Sequence, residues 1–246
     1  MIDLFVNPDD LAGADLSQSQ VVVFDVLRAT STIATALANG AREVRLFDSL
    51  DAARAARREW PTTAGPALLA GEQKCLKPED FDLGNSPREF VTEKIGGATV
   101  LLATTNGTRA AVRARSARKL FAGSLLNVTA TAQALLPEVD GLHTLLVCAG
   151  TNGKLAFEDI LGAGAVLFSL MQTTYRADLP FTDGAWLAYH AFAGVRSRLP
   201  AALRLGAGGI NVIDAGLEED IDYVARLDAL PVLARIEDSP LRVLRG

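Results

Sequence analysis

The sequence contains few residues that form disulfides or bind soft metals. Its two cysteines, Cys75 and Cys148, lie far apart and form no CxxC pair, which favours a reduced, cytoplasmic protein. The two histidines, His143 and His190, are too few for a zinc site built on histidine pairs. Any metal that the chain binds is therefore expected to have oxygen ligands.

The sequence shows no pattern typical of a targeting segment or of a membrane span, so neither is expected. The first ten residues include acidic residues and a proline, where a signal peptide needs a basic start and then an apolar run. The segment richest in apolar residues, Ile160–Met171, has the length of a buried helix and falls short of the roughly 20 residues that cross a bilayer. We expect a cytoplasmic protein with no membrane partner.

An excess of positive charge is absent as well. The chain has 24 Lys and Arg against 29 Asp and Glu, which gives a net charge of −5. This balance argues against a nucleic-acid partner. A small anionic ligand remains compatible with it, because local donors rather than net charge capture such ligands. Hydrophobic residues make up 49% of the chain, enough for a large core, and a homodimer is predicted from this composition alone.

The order of segments predicts an α/β fold. Val21–Phe24 is a continuous apolar run typical of a buried parallel strand, and Leu27–Gly40 is typical of a helix. A second strand and a second helix are predicted at Glu43–Phe47 and Ser49–Glu59. This alternation favours a three-layer α/β/α fold with a mainly parallel or mixed sheet.

The same order recurs later in the chain. Strands are predicted at Thr99–Ala103 and Thr144–Val147, each followed by a turn that contains Thr-Asn-Gly. The echo fits two similar lobes, about 1–120 and 121–246, or common turn chemistry used twice. Because no low-complexity linker divides the chain, a single domain over residues 1–246 is expected.

The C-terminal third is predicted to be mainly helical. Helices are expected at 183–199 and 217–228, with a glycine-rich turn, Gly206–Gly209, between them. The segment Arg235–Gly246 is predicted to be a tail that packs on the body of the domain.

Asp25 directly follows the first predicted strand, where open α/β sheets bind their ligands. Three hydroxyl residues, Thr30, Ser31 and Thr32, lie near the start of the next helix, whose free N–H groups favour a phosphate or a carboxylate. Arg28 adds a side chain that can bind an anion through two hydrogen bonds. The alternative is that Asp25 and the hydroxyls only cap the helix.

Similar residues follow the predicted strand Thr99–Ala103. Thr104, Thr105 and Asn106 precede a glycine, which permits close backbone approach, and Arg109 lies on the first turn of the next predicted helix. A plain turn with an N-cap would need only one of these hydroxyls. Ligand binding and simple capping are both open here.

A third turn contains Asn152 and Lys154, but not the GxxxxGK[ST] order of a nucleotide-binding phosphate loop. Glu158 and Asp159 follow on the first turns of a long helix predicted to reach about Met171. Glu158 stands four residues after Lys154, so a surface ion pair is the alternative to a metal-binding role. Asp159 shares its helix face with apolar residues, an environment that favours a functional carboxylate.

Glu72 follows the predicted strand Ala67–Ala70, and a long loop with Asn85 and Ser86 comes next. Loops of such length inside a compact domain are usually functional. Carboxylates at or just after strand ends predict a hard cation, Mg²⁺ before any other; they are Asp25, Glu72, Glu158 and Asp159. Hydroxyls, amides and basic residues beside them suit a phosphate, so the residues predict hydrolysis or transfer at phosphorus.

Several segments resemble, in the same order, the signature segments of the ComB family. They are Phe24–Thr32, Phe81–Pro87, Ala103–Arg109, Cys148–Lys154 and the Glu158-Asp159 pair with the helix after it. The resemblance extends from about Val21 to Leu233. It implies a magnesium-dependent phosphatase that hydrolyses 2-phosphosulfolactate to sulfolactate and phosphate, a reaction of coenzyme M biosynthesis.

On this basis the site residues receive predicted roles. The predicted Mg²⁺ ligands are Asp25, Glu72, Glu158 and Asp159. The predicted catalytic residues, which would act on the phosphoryl group, are Asp25, Arg28, Arg109 and Lys154. The predicted substrate-binding residues are Thr30, Ser31, Thr32, Asn85, Ser86, Thr104, Thr105, Asn106 and Asn152.

The chain departs from the family pattern after Glu72, where Gln73 and Cys75 stand in place of an arginine and a glycine. If that arginine grips the sulfonate or carboxylate, a related phosphatase for another small phospho-acid is the first alternative. A non-catalytic anion-binding protein is the second, and it would need the donors without the carboxylates. A haloacid-dehalogenase-type phosphatase with Asp25 as nucleophile is disfavoured, because Leu27 occupies the position of its second Asp.

Overall fold

A computed structural model describes residues 1–174 and 178–246. The strands are β1 (Ile2–Phe5), β2 (Ser19–Phe24), β3 (Glu43–Phe47), β4 (Ala67–Gly71), β5 (Thr99–Ala103), β6 (Lys119–Gly123), β7 (His143–Cys148), β8 (Ala234–Glu237) and β9 (Arg242–Arg245). The helices are α1 (Ala29–Ala38), α2 (Leu50–Arg58), α3 (Thr92–Ile95), α4 (Asn106–Arg113), α5 (Val128–Leu135), α6 (Phe157–Thr174), α7 (Asp183–Val195), α8 (Leu199–Leu203), α9 (Ala207–Asp214) and α10 (Glu219–Val224).

All nine strands form one sheet in the order β1-β7-β2-β6-β8-β9-β3-β5-β4. The strands β1, β7, β2 and β6 are parallel to their neighbours in this group, and so are β3, β5 and β4. Between the two groups lies the hairpin of β8 and β9, which is antiparallel to β6 on one side and to β3 on the other. The predicted α/β class with a mixed sheet is confirmed.

The strand β2 shows why the fold has three layers. All six of its residues are buried, as the apolar run predicted for a strand covered on both faces. Val22 and Phe24 pack with α5, α6 and α7 on one face, whereas Val21 and Val23 pack with α1 and α4 on the other. The alternation of side chains along a strand thus places one half of the core on each side of the sheet.

The prediction of a C-terminal tail is wrong. The segment after residue 233 forms β8 and β9 in the middle of the sheet, where Ala234, Ile236 and Val243 are buried. Each strand has only four residues; apolar and charged residues alternate in β8 but not in β9, and so short a pattern is a weak signal on its own.

Other boundaries also differ from the predictions. The strands β1 and β6 were not predicted, and α4 begins at Asn106 rather than near Arg109. The expected glycine-rich turn is instead the N-terminal end of α9. The helices predicted at 183–199 and 217–228 correspond to α7 and α10, which are shorter than predicted.

Across residues 1–174 and 178–246, no helix combines the length and the apolar character that crossing a bilayer requires. The division into two lobes, the homodimer and the cytoplasmic location stay predictions.

Candidate active site

Two adjoining cavities open where the chain leaves β2, β4, β5 and β7. The smaller, with a volume of about 90 Å³, is here called the inner pocket. The larger, with a volume of about 570 Å³, is called the outer cleft. The residues that line both cavities are Glu72, Cys75, Thr105, Asn106, Thr151 and Asn211. These shared residues make the outer cleft the approach to the inner pocket.

Many of the predicted site residues meet at these cavities. Those lining the inner pocket are Asp25, Arg28, Glu72, Asn85, Thr104, Thr105 and Asn106. Asn152 lines the outer cleft. The loops after β2 and β5 therefore meet, although the β8–β9 hairpin separates these strands in the sheet.

Asp25 lines the inner pocket and is fixed by the backbone around it. Its Oδ1 accepts a hydrogen bond from the N–H of Ala29 at 3.2 Å, and its own N–H donates to Thr30 Oγ1 at 3.2 Å. Burial raises the pKa of Asp25 to about 6; the N–H groups of Ala29 and Gly107 oppose this rise, and the charge of Glu72 adds to it. The charge of the nearby Arg28 also opposes the rise, but burial outweighs these contributions.

Arg28 lies beside Asp25 but is already paired. Its Nη1 donates to Oδ2 of Asp220 at 2.8 Å, and both side chains are almost fully buried. Its Nη2 donates to the carbonyl oxygen of Cys75 at 2.6 Å, and Ser86 Oγ donates to the other carboxylate oxygen of Asp220 at 2.5 Å. Ser86, predicted to bind substrate, thus contacts Asp220.

Sequence reasoning missed Asp220. It stands in an acidic run with Glu218, Glu219 and Asp222, and nothing in that pattern separates a buried acid from solvated ones. Only the tertiary fold reveals its partner, which is 192 positions away in the chain.

The hydroxyls of α1 hold the site loops. Thr30 Oγ1 accepts from the N–H of Asp25, Ser31 Oγ donates to the carbonyl of Val26 at 2.8 Å, and Thr32 Oγ1 donates to the carbonyl of Asn85 at 2.9 Å. All three are buried. Their contacts fix the positions of Asp25 and Asn85, and their predicted role in binding substrate stays a prediction.

The N-terminal end of α4 faces the inner pocket. Thr105 occupies the N-cap position without a side-chain capping bond, and Thr104 Oγ1 lies 3.2 Å from Thr108 Oγ1. The free N–H groups and the positive end of the helix dipole favour an anion at this point. The carboxylate of Asp25 lies against this end of the helix, where the N–H of Gly107 hydrogen-bonds to it.

Two predicted cationic residues lie outside the lining of both cavities as described. Arg109 is half-buried, and its Nε and Nη2 atoms have no hydrogen-bond partner among the described residues. Lys154 is exposed in a turn whose backbone pairs with Thr151. Their predicted catalytic roles stay predictions.

Asp159 and Glu158 lie behind the inner pocket. Asp159 accepts hydrogen bonds from the N–H groups of Val26 at 2.8 Å and Gly150 at 3.1 Å, one on each oxygen, so it ties together the loops after β2 and β7. Glu158 is buried beneath Gly208 at the start of α9, and its Oε2 has no hydrogen-bond partner among the described residues. The alternative for Glu158, a surface pair with Lys154, is not formed, because Lys154 precedes α6 and is exposed while Glu158 is buried.

Burial also raises the pKa of both acids. The pKa of Glu158 rises to about 7, with the negative charge of Asp25 adding to the effect of burial. The pKa of Asp159 rises well above its ordinary value, first through burial and then through the charges of Asp25 and Glu158. The three acids form a desolvated group whose negative charges repel one another.

The inner pocket fits a hard cation that uses few protein ligands. No group of three or more Asp, Glu, His or Cys side chains within residues 1–174 and 178–246 is arranged to hold a metal ion, so the predicted set of four carboxylates is not formed. Mg²⁺ at phosphate sites commonly uses one or two carboxylates together with waters and substrate oxygens. Asp25 and Glu72 line the same pocket and meet that smaller requirement.

In the loop after Glu72, the backbone adopts the left-handed conformation that favours glycine, the residue of the family pattern at Cys75. Cys75 has φ +68° and Lys74 has φ +52°, both in the left-handed region. Glu72 Oε2 accepts the N–H of Cys75 at 2.6 Å. Lys74 and Cys75 line the outer cleft, but Gln73 is absent from the described lining. The departure at Cys75 therefore changes the lining of both cavities.

The sequence matches the 2-phosphosulpholactate phosphatase family over residues 5–239. It is 42% identical to a probable 2-phosphosulfolactate phosphatase of Thermotoga petrophila, over 84% of each chain. It is 37% identical to a protein of the same description from Caldanaerobacter subterraneus subsp. tengcongensis, over 93% of this chain and 92% of the other. The chain belongs to the 2-phosphosulfolactate phosphatase family.

Proposed function

We propose that this protein is a Mg²⁺-dependent phosphoric monoester hydrolase that converts 2-phosphosulfolactate and water to sulfolactate and inorganic phosphate. The observation that carries the proposal is the inner pocket, whose lining combines two carboxylates with an arginine and the N-terminal end of α4. Membership of the family supports the substrate. A coenzyme M biosynthetic role is part of the same proposal.

The proposed roles of the pocket residues follow from their charges. Asp25 and Glu72 would hold Mg²⁺, which as a Lewis acid would polarise a phosphoryl oxygen. Arg28 and the donors at the start of α4 would offset the charge that develops on the other phosphoryl oxygens. In the outer cleft, the amide side chains of Asn106 and Asn152 can orient the acidic part of the substrate.

The test is release of inorganic phosphate from 2-phosphosulfolactate by the purified protein. We expect activity with Mg²⁺, loss on treatment with EDTA and recovery when Mg²⁺ is added back. Asp25→Asn is expected to lower kcat by about 100-fold or more, because a metal ligand in the pocket is lost. The matched control is Asp51→Asn on α2, whose side chain is 93% exposed. Full activity of Asp25→Asn, or activity indifferent to EDTA, would contradict the proposal.

A phosphatase for another small phospho-acid is the second candidate, and the charges of the outer cleft favour it. Lys74 is the cationic side chain in the described lining of this cleft, and Asp214 lies in the same lining. A substrate tail with two negative groups would meet one cation, Lys74, and two carboxylates, Glu72 and Asp214, there. Higher kcat/KM for a phospho-acid with a single carboxylate than for 2-phosphosulfolactate would support this candidate.

A further inference from the structure

Asp220 is a buried carboxylate that has no role in the mechanism proposed above. Its side chain is fully buried, with an exposure of 0%, and its Oδ2 and Oδ1 accept hydrogen bonds from Arg28 and Ser86. Other acids of the same segment are at the surface, where Glu219 pairs with Arg88 and Asp222 pairs with Arg204. A buried carboxylate is costly to desolvate and persists when paired and hydrogen-bonded.

The pair fixes the guanidinium group at the edge of the inner pocket. Arg28 donates from Nη1 to Asp220 and from Nη2 to the carbonyl of Cys75, so the plane of the group is held at two points. A guanidinium has five N–H donors. Two of these donors make the contacts described for Arg28, which leaves three N–H groups for a ligand. Arg28 also lines the inner pocket.

We propose that Asp220 is a positioning residue, which holds Arg28 in the orientation that binds the phosphoryl group and so connects α10 to the active site. This inference rests on the proposed function for its catalytic consequence, but not for its binding consequence. The guanidinium is attached through a flexible chain of methylene groups, and a fixed orientation reduces the side-chain entropy lost when an anion binds. Ser86 assists by fixing the other oxygen of Asp220.

The experiment measures the binding of inorganic phosphate by calorimetry, with Mg²⁺ present, and phosphatase kinetics on the same samples. Asp220→Asn replaces one acceptor oxygen by an amide N–H₂ group beside Arg28. We expect phosphate affinity to fall by about 10-fold or more, since hydrogen bonds to charged groups have that magnitude, and kcat/KM to fall at least as far. The matched control is Asp222→Asn, an exposed carboxylate in the same helix, for which both quantities should stay within about twofold.

A second comparison separates positioning from general support of the fold. In an Arg28→Ala background, replacing Asp220 by Asn should cause no further loss of phosphate affinity, because the residue through which it acts is absent. If Asp220 had only a structural role, replacing it would lower phosphate affinity by the same factor whether Arg28 is present or absent. If Asp220→Asn does not fold, Ser86→Ala keeps both charges and should weaken phosphate binding by a smaller factor, about threefold to tenfold.

The outcomes distinguish this inference from the proposed function. If the protein has no phosphatase activity but its phosphate binding depends on Asp220, the positioning role is supported and the proposed enzymatic function is contradicted. Activity with equal phosphate affinity in the folded Asp220→Asn variant and the wild type would overturn the positioning role alone. If neither the wild type nor the Asp220→Asn variant binds phosphate, the positioning role is overturned as well.

Discussion

Gly208→Ala is the substitution for which the structure gives the most definite expectation. Gly208 lies near the start of α9 and lines the inner pocket. A Cβ atom at this position would overlap Oε1 of Glu158 and lie 2.7 Å from its Cδ atom, against about 3.5–4.0 Å for a normal contact between carbon atoms. Glu158 is only 1% exposed, so it has little space into which to move.

The size of the effect follows from two opposing contributions. In a helix, alanine is favoured over glycine by about 0.5–1 kcal/mol. Overpacking of a buried site costs about 1–3 kcal/mol. Gly194→Ala provides the control, since Gly194 lies in α7 with nothing within 4 Å of the added Cβ and should give the helix preference alone. The free energy of unfolding should therefore be lower for Gly208→Ala than for Gly194→Ala by about 1–3 kcal/mol.

Urea unfolding followed by the fluorescence of Trp60 and Trp186 measures this difference. A double-mutant cycle with Glu158→Ala then identifies its cause. Removing the carboxylate makes room for the new methyl group, so the cycle should show a coupling energy of about 1 kcal/mol or more between the two positions. Additive effects, or equal stability of Gly208→Ala and Gly194→Ala, would refute the close packing of Glu158 beneath α9.

Three further predictions concern single carboxylates. Asp159→Asn should destabilise the protein by about 1–3 kcal/mol in thermal or urea unfolding, because an amide cannot accept from two main-chain N–H groups with both of its polar atoms; unchanged stability would contradict this. Burial raises the pKa of Glu43, but hydrogen bonds from Arg45 and Arg242 outweigh it and hold the pKa below its ordinary value of 4.5. The stability that Glu43 contributes should therefore be present above about pH 4.5 and be lost as pH falls through the lower, folded-state pKa, so unfolding curves of wild type and Glu43→Gln should converge in acid; a constant difference at all pH values would refute the ion pairs. Asp214→Asn in the outer cleft should raise kcat/KM for a substrate with two negative groups by about threefold to tenfold, since repulsion is removed near the protein surface; a loss for that substrate would show that Asp214 binds it instead.

The sequence predicted the parts of the fold that local patterns determine. The buried run of β2, the helix α1 after it and the strands β3 and β5 were all recognisable from apolar runs and periodicity. The hairpin of β8 and β9 was not, because its short strands acquire their central position only through pairing with β6 and β3. Their partners are distant in the chain, and local propensity contains no information about them.

The candidate site shows the same division between local and tertiary information. Asp25 and Thr104 were found because each directly follows a strand, and strand ends are where α/β folds place ligands. The sequence could not show that both carboxylate oxygens of Asp159 accept hydrogen bonds from main-chain N–H groups. It also could not separate Asp220 from the acids around it, since burial is decided by the packing of α10 against the site.

The hairpin at the middle of the sheet has a consequence for how the protein assembles. Its strands follow all the others in this chain, and β9 pairs with a strand about 200 positions earlier. Until it docks, β6 and β3 each present an unpaired edge of the kind that recruits other chains. Contacts of such large sequence separation form slowly, so a nascent or refolding molecule should pass through a stage that is open to aggregation, and crowding or high concentration should lower its folding yield more than its final stability.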